Sequence, residues 1–342
     1  MQVVAVWMGA LALCVVGCAP TGGRFPQLTP ALAWPSAPDT PRIRYLGTIT
    51  GPESLGIRAG GNLLKAIVSG PDAPARLITP MAVAARGPLV AVADAGAPNG
   101  PTVYLFDRAA RTMQRIERVS DRPLREPLGL AFVNEQTVVV ADAGRGELLL
   151  CDVAGRERRV MSTSCKRPVA VAWDAAKGTL WVADAAQHEV VGLNLAGTIV
   201  GRVGSAAELS FPVSVAVAPS SARARLAIAD AMNFRVARAN DAFLVSSIGA
   251  KGDGAGDFSL PRSVAFDSAG HLYVLDNQFE NVQLFDEAGQ LLMAFGEGGA
   301  HPGQFNLPAG LFIDDNDWIW IADSRNQRIQ VFEFLKRAGE NS

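Results

Sequence analysis

From Pro80 onward the chain is written in short apolar runs whose side chains alternate small and large, each opened by a proline. The prolines are Pro80, Pro127, Pro168, Pro212, Pro261 and Pro308, 41 to 49 residues apart. Further along each unit comes a second, β-rich run that ends in aspartate: Leu89–Asp94, Thr137–Asp142, Thr179–Asp184, Leu226–Asp230, Leu272–Asp276 and Trp318–Asp323. A period in the forties with strand-like content predicts a β-propeller, here all-β with six blades. Each unit reads as four short strands.

Two and four residues after each proline the side chains are small: Ala82/Ala84, Gly129/Ala131, Ala170/Ala172, Ser214/Ala216, Ser263/Ala265 and Gly310/Phe312, with Phe312 the exception. Three and five residues after it they are larger, as in Leu130/Phe132, Val171/Trp173, Val264/Phe266 and Leu311/Ile313. Alternation across a strand puts the two sets on opposite faces. Stacked blades need that complementarity, the bulky face of one packing on the small face of the next. The aspartate at the end of each second strand is expected to accept backbone N–H groups in the turn that follows, a structural role.

The last unit ends near Phe334 without a fourth strand. The segment 42–49, Arg-Ile-Arg-Tyr-Leu-Gly-Thr-Ile, reads as a strand that lies before unit one, and it is expected to complete blade six and close the ring. Pairing the two ends removes the edge an open ring would expose. Between that strand and the first blade, Leu55, Leu63, Leu64, Ile67 and Val68 suggest a short amphipathic helical insert over 52–70, bounded by Gly60-Gly61 and Gly70-Pro71. The blades span 78–334 within a propeller domain of 42–336, and 337–342 form a tail.

The length of 342 residues suits one six-bladed ring. Net charge is −2, and the densest basic group (Arg223, Arg225, Arg235, Arg238) falls within one blade. Nucleic-acid binding requires a broad basic face, so that class is set aside. Cys151 and Cys165 are the only cysteines beyond the N-terminal region. A hairpin turning at Ala154-Gly155 sets Cys151 opposite residue 158, leaving Cys165 on the order of 20 Å away at about 3.3 Å per residue. A disulfide needs Cα atoms within about 7 Å, so none is expected.

At units five and six the residues become family-specific. Gly249–Gly296 and Gly296–Glu333 share a glycine-rich lead-in to the proline, a Gly-x-Leu-Tyr-Val-x-Asp type of hairpin, and Asp-x-x-Asn-x-Arg-Ile/Val. The last motif is Asp323, Asn326, Arg328 and Ile329 in unit six and Asp230, Asn233, Arg235 and Val236 in unit four. These features resemble the NHL repeat. Units one to three depart from it, with Ala97, Arg145 and Gln187 at the Asn position and no Arg. The N-terminus adds a second resemblance. Val3 to Gly17 is apolar, too short to span a bilayer, and ends in Val15-Val16-Gly17-Cys18. This resembles a bacterial lipobox, which implies a signal peptide over 1–17 and a lipidated Cys18. The following stretch, 18–41, carries Pro20, Pro26, Pro30, Pro35, Pro38 and Pro41, and suits a semi-rigid tether. The two resemblances together imply an NHL-type lipoprotein of the bacterial cell envelope, held in the outer membrane, with an envelope or secreted protein as partner.

Chemistry is sparse. Catalytic propellers need carboxylate or imidazole groups converging on the channel. The first five positions after each proline hold no His, Asp or Glu; their polar residues are Ser214, Ser263 and Arg262. His188, His271 and His301 fall on three different connections, and no metal or cofactor set emerges. Candidate binding residues are therefore Arg262, beside the channel, and Asp253, Asp257, Glu297 and His301 in the glycine-rich inter-blade loops. The expected function is a non-catalytic interaction or assembly platform. The alternatives are a metal-dependent lyase or hydrolase working in the channel or top loops, and a carrier or sensor for a small ligand.

Overall fold

The computed structural model describes residues 31–36, 38–57, 76–155, 158–161, 164–219 and 224–336. The expected signal peptide, Cys18, the tether up to residue 30, most of the expected helical insert and the 337–342 tail lie outside the described residues.

The repeating units fold into antiparallel sheets, one per unit. Blade 1 comprises Pro80–Arg86, Leu89–Asp94, Thr102–Asp107 and Thr112–Ile116; blade 2 comprises Pro127–Phe132, Thr137–Asp142, Glu147–Asp152 and Arg158–Met161. Blade 3 is Pro168–Asp174, Thr179–Asp184, Glu189–Leu193 and Ile199–Val203; blade 4 is Pro212–Val217, Leu226–Asp230, Arg235–Ala239 and Leu244–Ile248. Blade 5 is Pro261–Phe266, Leu272–Asp276, Asn281–Phe285 and Leu291–Phe295. The first strand of each blade touches the first strand of the next, and that of blade 6, Pro308–Ile313, touches that of blade 1. The chain is thus a closed six-bladed β-propeller with its inner strands around a central channel.

Closure is made by the N-terminal strand. Ile43–Ile49 pairs antiparallel with Arg328–Phe334, from Ile43↔Phe334 to Ile49↔Ile329. It stands fourth in blade 6, after Pro308–Ile313, Trp318–Asp323 and Arg328–Phe334. Ile43, Tyr45, Leu46 and Ile49 are buried, and Tyr45 meets Phe332 edge-on with ring centroids 5.5 Å apart. The sheet then gains a fifth strand that the sequence did not disclose, Ala33–Trp34. Trp34 packs between Phe295 of blade 5 (6.0 Å) and Phe332 of blade 6 (5.7 Å). Within the segment expected as a semi-rigid tether, 18–41, the chain is on the ring from Leu32, whose carbonyl accepts Tyr45 N–H at 2.9 Å. Trp34 wedged between two phenylalanines fixes on the ring a chain that the flanking prolines already bias towards extended backbone. Of the insert expected over 52–70, the described part is one 3-10 turn, Pro52–Leu55, ended by Gly56 at φ +67.

Core packing follows the alternation. The small face of blade 1 (Ala82, Ala84, Ala91, Ala93) receives Leu130, Phe132, Val138 and Val140 of blade 2. The small face of blade 2 in turn receives Val171, Leu180 and Val182 of blade 3. Burying each such large side chain contributes about 1.5–3 kcal/mol. The smallest residues mark the closest approaches: a Cβ on Gly129 would lie 2.8 Å from Ala170 Cα, and one on Gly310 2.7 Å from the Met81 carbonyl oxygen. In blades 4 and 5 serine takes that position, and its hydroxyl links neighbours. Ser214 Oγ accepts Val264 N–H at 3.2 Å and Ser263 Oγ accepts Leu311 N–H at 3.1 Å. Phe312 is partly buried between the blade 6–1 and blade 1–2 clusters. Cys151 pairs with Arg158 across its hairpin, and Cys151 and Cys165 are buried in separate core clusters. Burial pushes the Cys151 thiol up to about 12.

Candidate functional site

The proline that opens each blade has no N–H to give the ladder, and all six inner strands are irregular just there. Pro80, Pro127, Pro168, Pro212, Pro261 and Pro308 each pair with the aspartate of the next strand, and the pairing resumes two residues on. The residue between is a β-bulge, a device that re-aims a side chain. Six bulges place Met81, Leu128, Val169, Val213, Arg262 and Ala309 around one end of the channel. Five are apolar and one is cationic.

The aspartates hold these bulges in place. All six are fully buried. Asp94 accepts the N–H groups of Ile78 and Thr79, both at 2.8 Å; Asp142 accepts Arg125 and Glu126, both at 2.9 Å. Asp184 accepts Lys166 (2.6 Å) and Arg167 (3.0 Å); Asp276 accepts Ser259 (2.8 Å) and Leu260 (2.9 Å). In blades 4 and 6 side chains join. Asp230 takes Ser210 N–H (2.6 Å), Asn233 Nδ2 (2.8 Å) and Arg235 Nε (2.9 Å). Asp323 takes Asn306 N–H (2.8 Å), Asn326 Nδ2 (2.9 Å), Arg328 Nε (2.8 Å) and Gln330 Nε2 (3.0 Å). In blade 3 Gln187 Nε2 reaches Asp184 at 2.9 Å, so a longer amide replaces the Asn of the motif. In each of these carboxylates both oxygens accept at least one internal donor.

The loop candidates sit on the same side of the ring but form two separate groups. Gly249 and Gly296 adopt positive φ (+76 and +86), and a Cβ on either would lie 2.3 Å from the buried ring of Phe258 or Phe305. Two glutamines, recurring at the same place in blades 5 and 6, support the loops from beneath. Gln283 Nε2 donates to the Asp257 carbonyl (2.8 Å) and Gln330 Nε2 to the Gln304 carbonyl (2.6 Å). Asp253 is exposed, and the Asp257 carboxylate accepts Gly254 N–H at 3.2 Å. Glu297 accepts Gln304 Nε2 at 2.8 Å. His301 projects from the surface, while its carbonyl accepts Arg328 Nη2 at 2.9 Å. The other histidines are occupied: His188 Nδ1 accepts Phe211 N–H at 3.0 Å, and His271 Nδ1 lies 2.8 Å from Asp267. Among the described residues no group of three or more His, Cys, Asp or Glu is placed to hold a metal ion.

Arg262 stands apart from that loop set. It lines a channel cavity of about 350 Å³ that runs from the bulge ring to Arg86 and Asp315 at the far end. No hydrogen bond or ion pair joins its guanidinium to the described residues. Burial holds Arg262 below the usual arginine value, the positive charge of Arg167 adds to this, and Glu126 opposes it. Arg167 and Glu126 form a bidentate pair at 2.9 and 2.8 Å. Sequence reading missed that pair. Its signal was there, since both residues directly precede blade-opening prolines in adjacent units, but only the ring brings blades 2, 3 and 5 to one mouth.

No curated protein matches the chain in sequence. Among solved structures, a streptogramin B lyase superposes with a TM-score of 0.53 at 10% identity, covering 76% of this chain and 94% of that one. A virginiamycin B lyase from Staphylococcus aureus gives a TM-score of 0.51 at 11% identity, covering 75% and 95%. A chain of a nidogen/laminin complex gives 0.51 at 18% identity, covering 65% and 82%. Likeness at this level is likeness of fold. Residues 305–332 match the NHL repeat family model. That segment contains the Asp323, Asn326 and Arg328 clasp, so this chain is a six-bladed β-propeller whose sixth blade carries an NHL repeat.

Proposed function

We propose that the chain is an envelope lipoprotein, anchored through Cys18, whose propeller serves as a non-catalytic platform for a protein partner. The observation that carries this reading is the distribution of polar and apolar groups. The buried carboxylates and two of the three histidines are spent on internal bonds. The rim, in contrast, exposes large apolar side chains on the outer parts of blades 3 and 4: Ile199 (38%), Val200 (57%), Phe243 (58%) and Val245 (42%). The two outer hairpins approach each other there, a Cβ on Gly201 lying 3.3 Å from the Asp241 carbonyl. Exposed apolar residues grouped this way mark interaction surfaces. A chain docked on the ring from Leu32 also leaves a short span between Cys18 and the propeller, which suits a platform kept close to a membrane. No helix among the described residues is long and apolar enough to cross one. The fold likeness to two lyases keeps a metal-dependent reaction as the second reading, without a ligand set among the described residues to support it.

The test is in-cell crosslinking from photoreactive residues placed at Val200 and Phe243, with mass spectrometry of the products. A reproducible partner in near-stoichiometric yield is the expected result, and sparse, unrelated crosslinks would refute the platform. Cys18→Ser is expected to release the protein from the membrane fraction. Retention there would sink the anchor.

A further inference from the structure

We infer that the channel of this propeller is a binding site for a small organic carboxylate with an apolar body, held through Arg262. This goes beyond the platform reading and stands without it. Of the six bulge residues at the proline end, only Arg262 is charged, against Met81, Leu128, Val169, Val213 and Ala309. Its guanidinium sits inside the channel with no partner among the described residues, where burial disfavours its charge. Arg262 is half-buried with its guanidinium free of protein partners among the described residues, and a bidentate carboxylate is the ligand that best fits its planar fork.

The charges near it agree. Arg167 and Glu126 neutralise each other through their bidentate pair, which leaves Arg262 as the one charged side chain among the six bulge residues that line this end of the channel. At the far end Arg86 and Asp315 line the same cavity, one of each sign. An anion entering the channel is therefore oriented, with its carboxylate at Arg262. The side chains that line the channel between the two ends are apolar apart from Ser214 and Ser263, whose hydroxyls already accept backbone N–H groups. A ligand matching these side chains has a hydrocarbon or aromatic body. A volume of about 350 Å³ falls within the range of small-molecule sites, roughly 300–1,000 Å³.

The experiment is titration calorimetry of the full chain with hexanoate and phenylacetate, beside the neutral hexanamide and phenylacetamide. Saturable binding of the acids is expected, with the amides weaker by about 10-fold or more, since a charge-assisted hydrogen bond is replaced by a neutral one. Arg262→Ala is expected to reduce the acids to the level of the amides. Arg159→Ala, an exposed cation on the outermost strand of blade 2, is expected to leave them unchanged. Absence of saturable binding, equal affinity for acid and amide, or acid binding that survives Arg262→Ala would each overturn the assignment. Sulfate bound as tightly as hexanoate would overturn the apolar body. The acid-to-amide comparison is made on the wild-type chain and does not depend on how the variant folds.

Discussion

Replacing Asp323 by asparagine tests the clasp that joins each blade's second strand to the loop before its first. One carboxylate oxygen accepts Asn306 N–H, and the other accepts Asn326 Nδ2, Arg328 Nε and Gln330 Nε2. An asparagine offers one acceptor oxygen and one NH2. If its oxygen faces the three side chains, its NH2 meets Asn306 N–H, donor against donor. If it turns round, three donors lose their acceptor. Either way a buried donor is stranded, at about 1–3 kcal/mol. Arg328, only 9% exposed, also loses its counter-charge, and breaking a buried ion pair brings the total to about 3–5 kcal/mol. Asp142 is the internal control. It is equally buried, but its contacts are the backbone N–H groups of Arg125 and Glu126, so Asp142→Asn is expected to cost about 1–3 kcal/mol. Urea unfolding at pH 7 measures both, read from the midpoints at unchanged slope. A loss for Asp323→Asn no larger than that for Asp142→Asn would refute the argument that the cation in the NHL motif raises the stakes of the clasp.

The ring without residues 42–49 loses four buried side chains, Ile43, Tyr45, Leu46 and Ile49. At about 1.5–3 kcal/mol each, this rivals a whole domain's stability of about 5–15 kcal/mol; cooperative melting should vanish and return when the segment is restored, and an unchanged melt would exclude its closing role. Asp317, although its burial acts in the opposite direction, is held below its ordinary value of 3.8 by hydrogen bonds from Ser268 and Lys336. Its stabilisation is therefore full above that value and lost as pH falls through the depressed one, so the stability gap between wild type and Asp317→Asn should close below pH 3.8, and a gap constant with pH would contradict this.

The legible parts of this protein were those that repeat. The proline, the small–large alternation and the terminal aspartate recur because every blade must meet its neighbour in the same way, and a constraint imposed six times leaves a period in the chain. Strand boundaries and ring closure by 43–49 follow from that local chemistry. So does the face that receives Leu130 or Val171. The docking of Trp34 was hidden, because its partners Phe295 and Phe332 belong to two blades at the other end of the chain. The same holds for the supporting glutamines, whose hydrogen bonds reach loop carbonyls some two dozen residues upstream. Arg262 was visible as an odd charge, but not what surrounds it. Its isolation in the channel, beside a Glu126–Arg167 pair that neutralises itself, depends on three blades meeting at one mouth. Sequence periodicity reports what each blade shares with the next; the site lies in what one blade does differently, and only ring closure brings those differences within reach of one another.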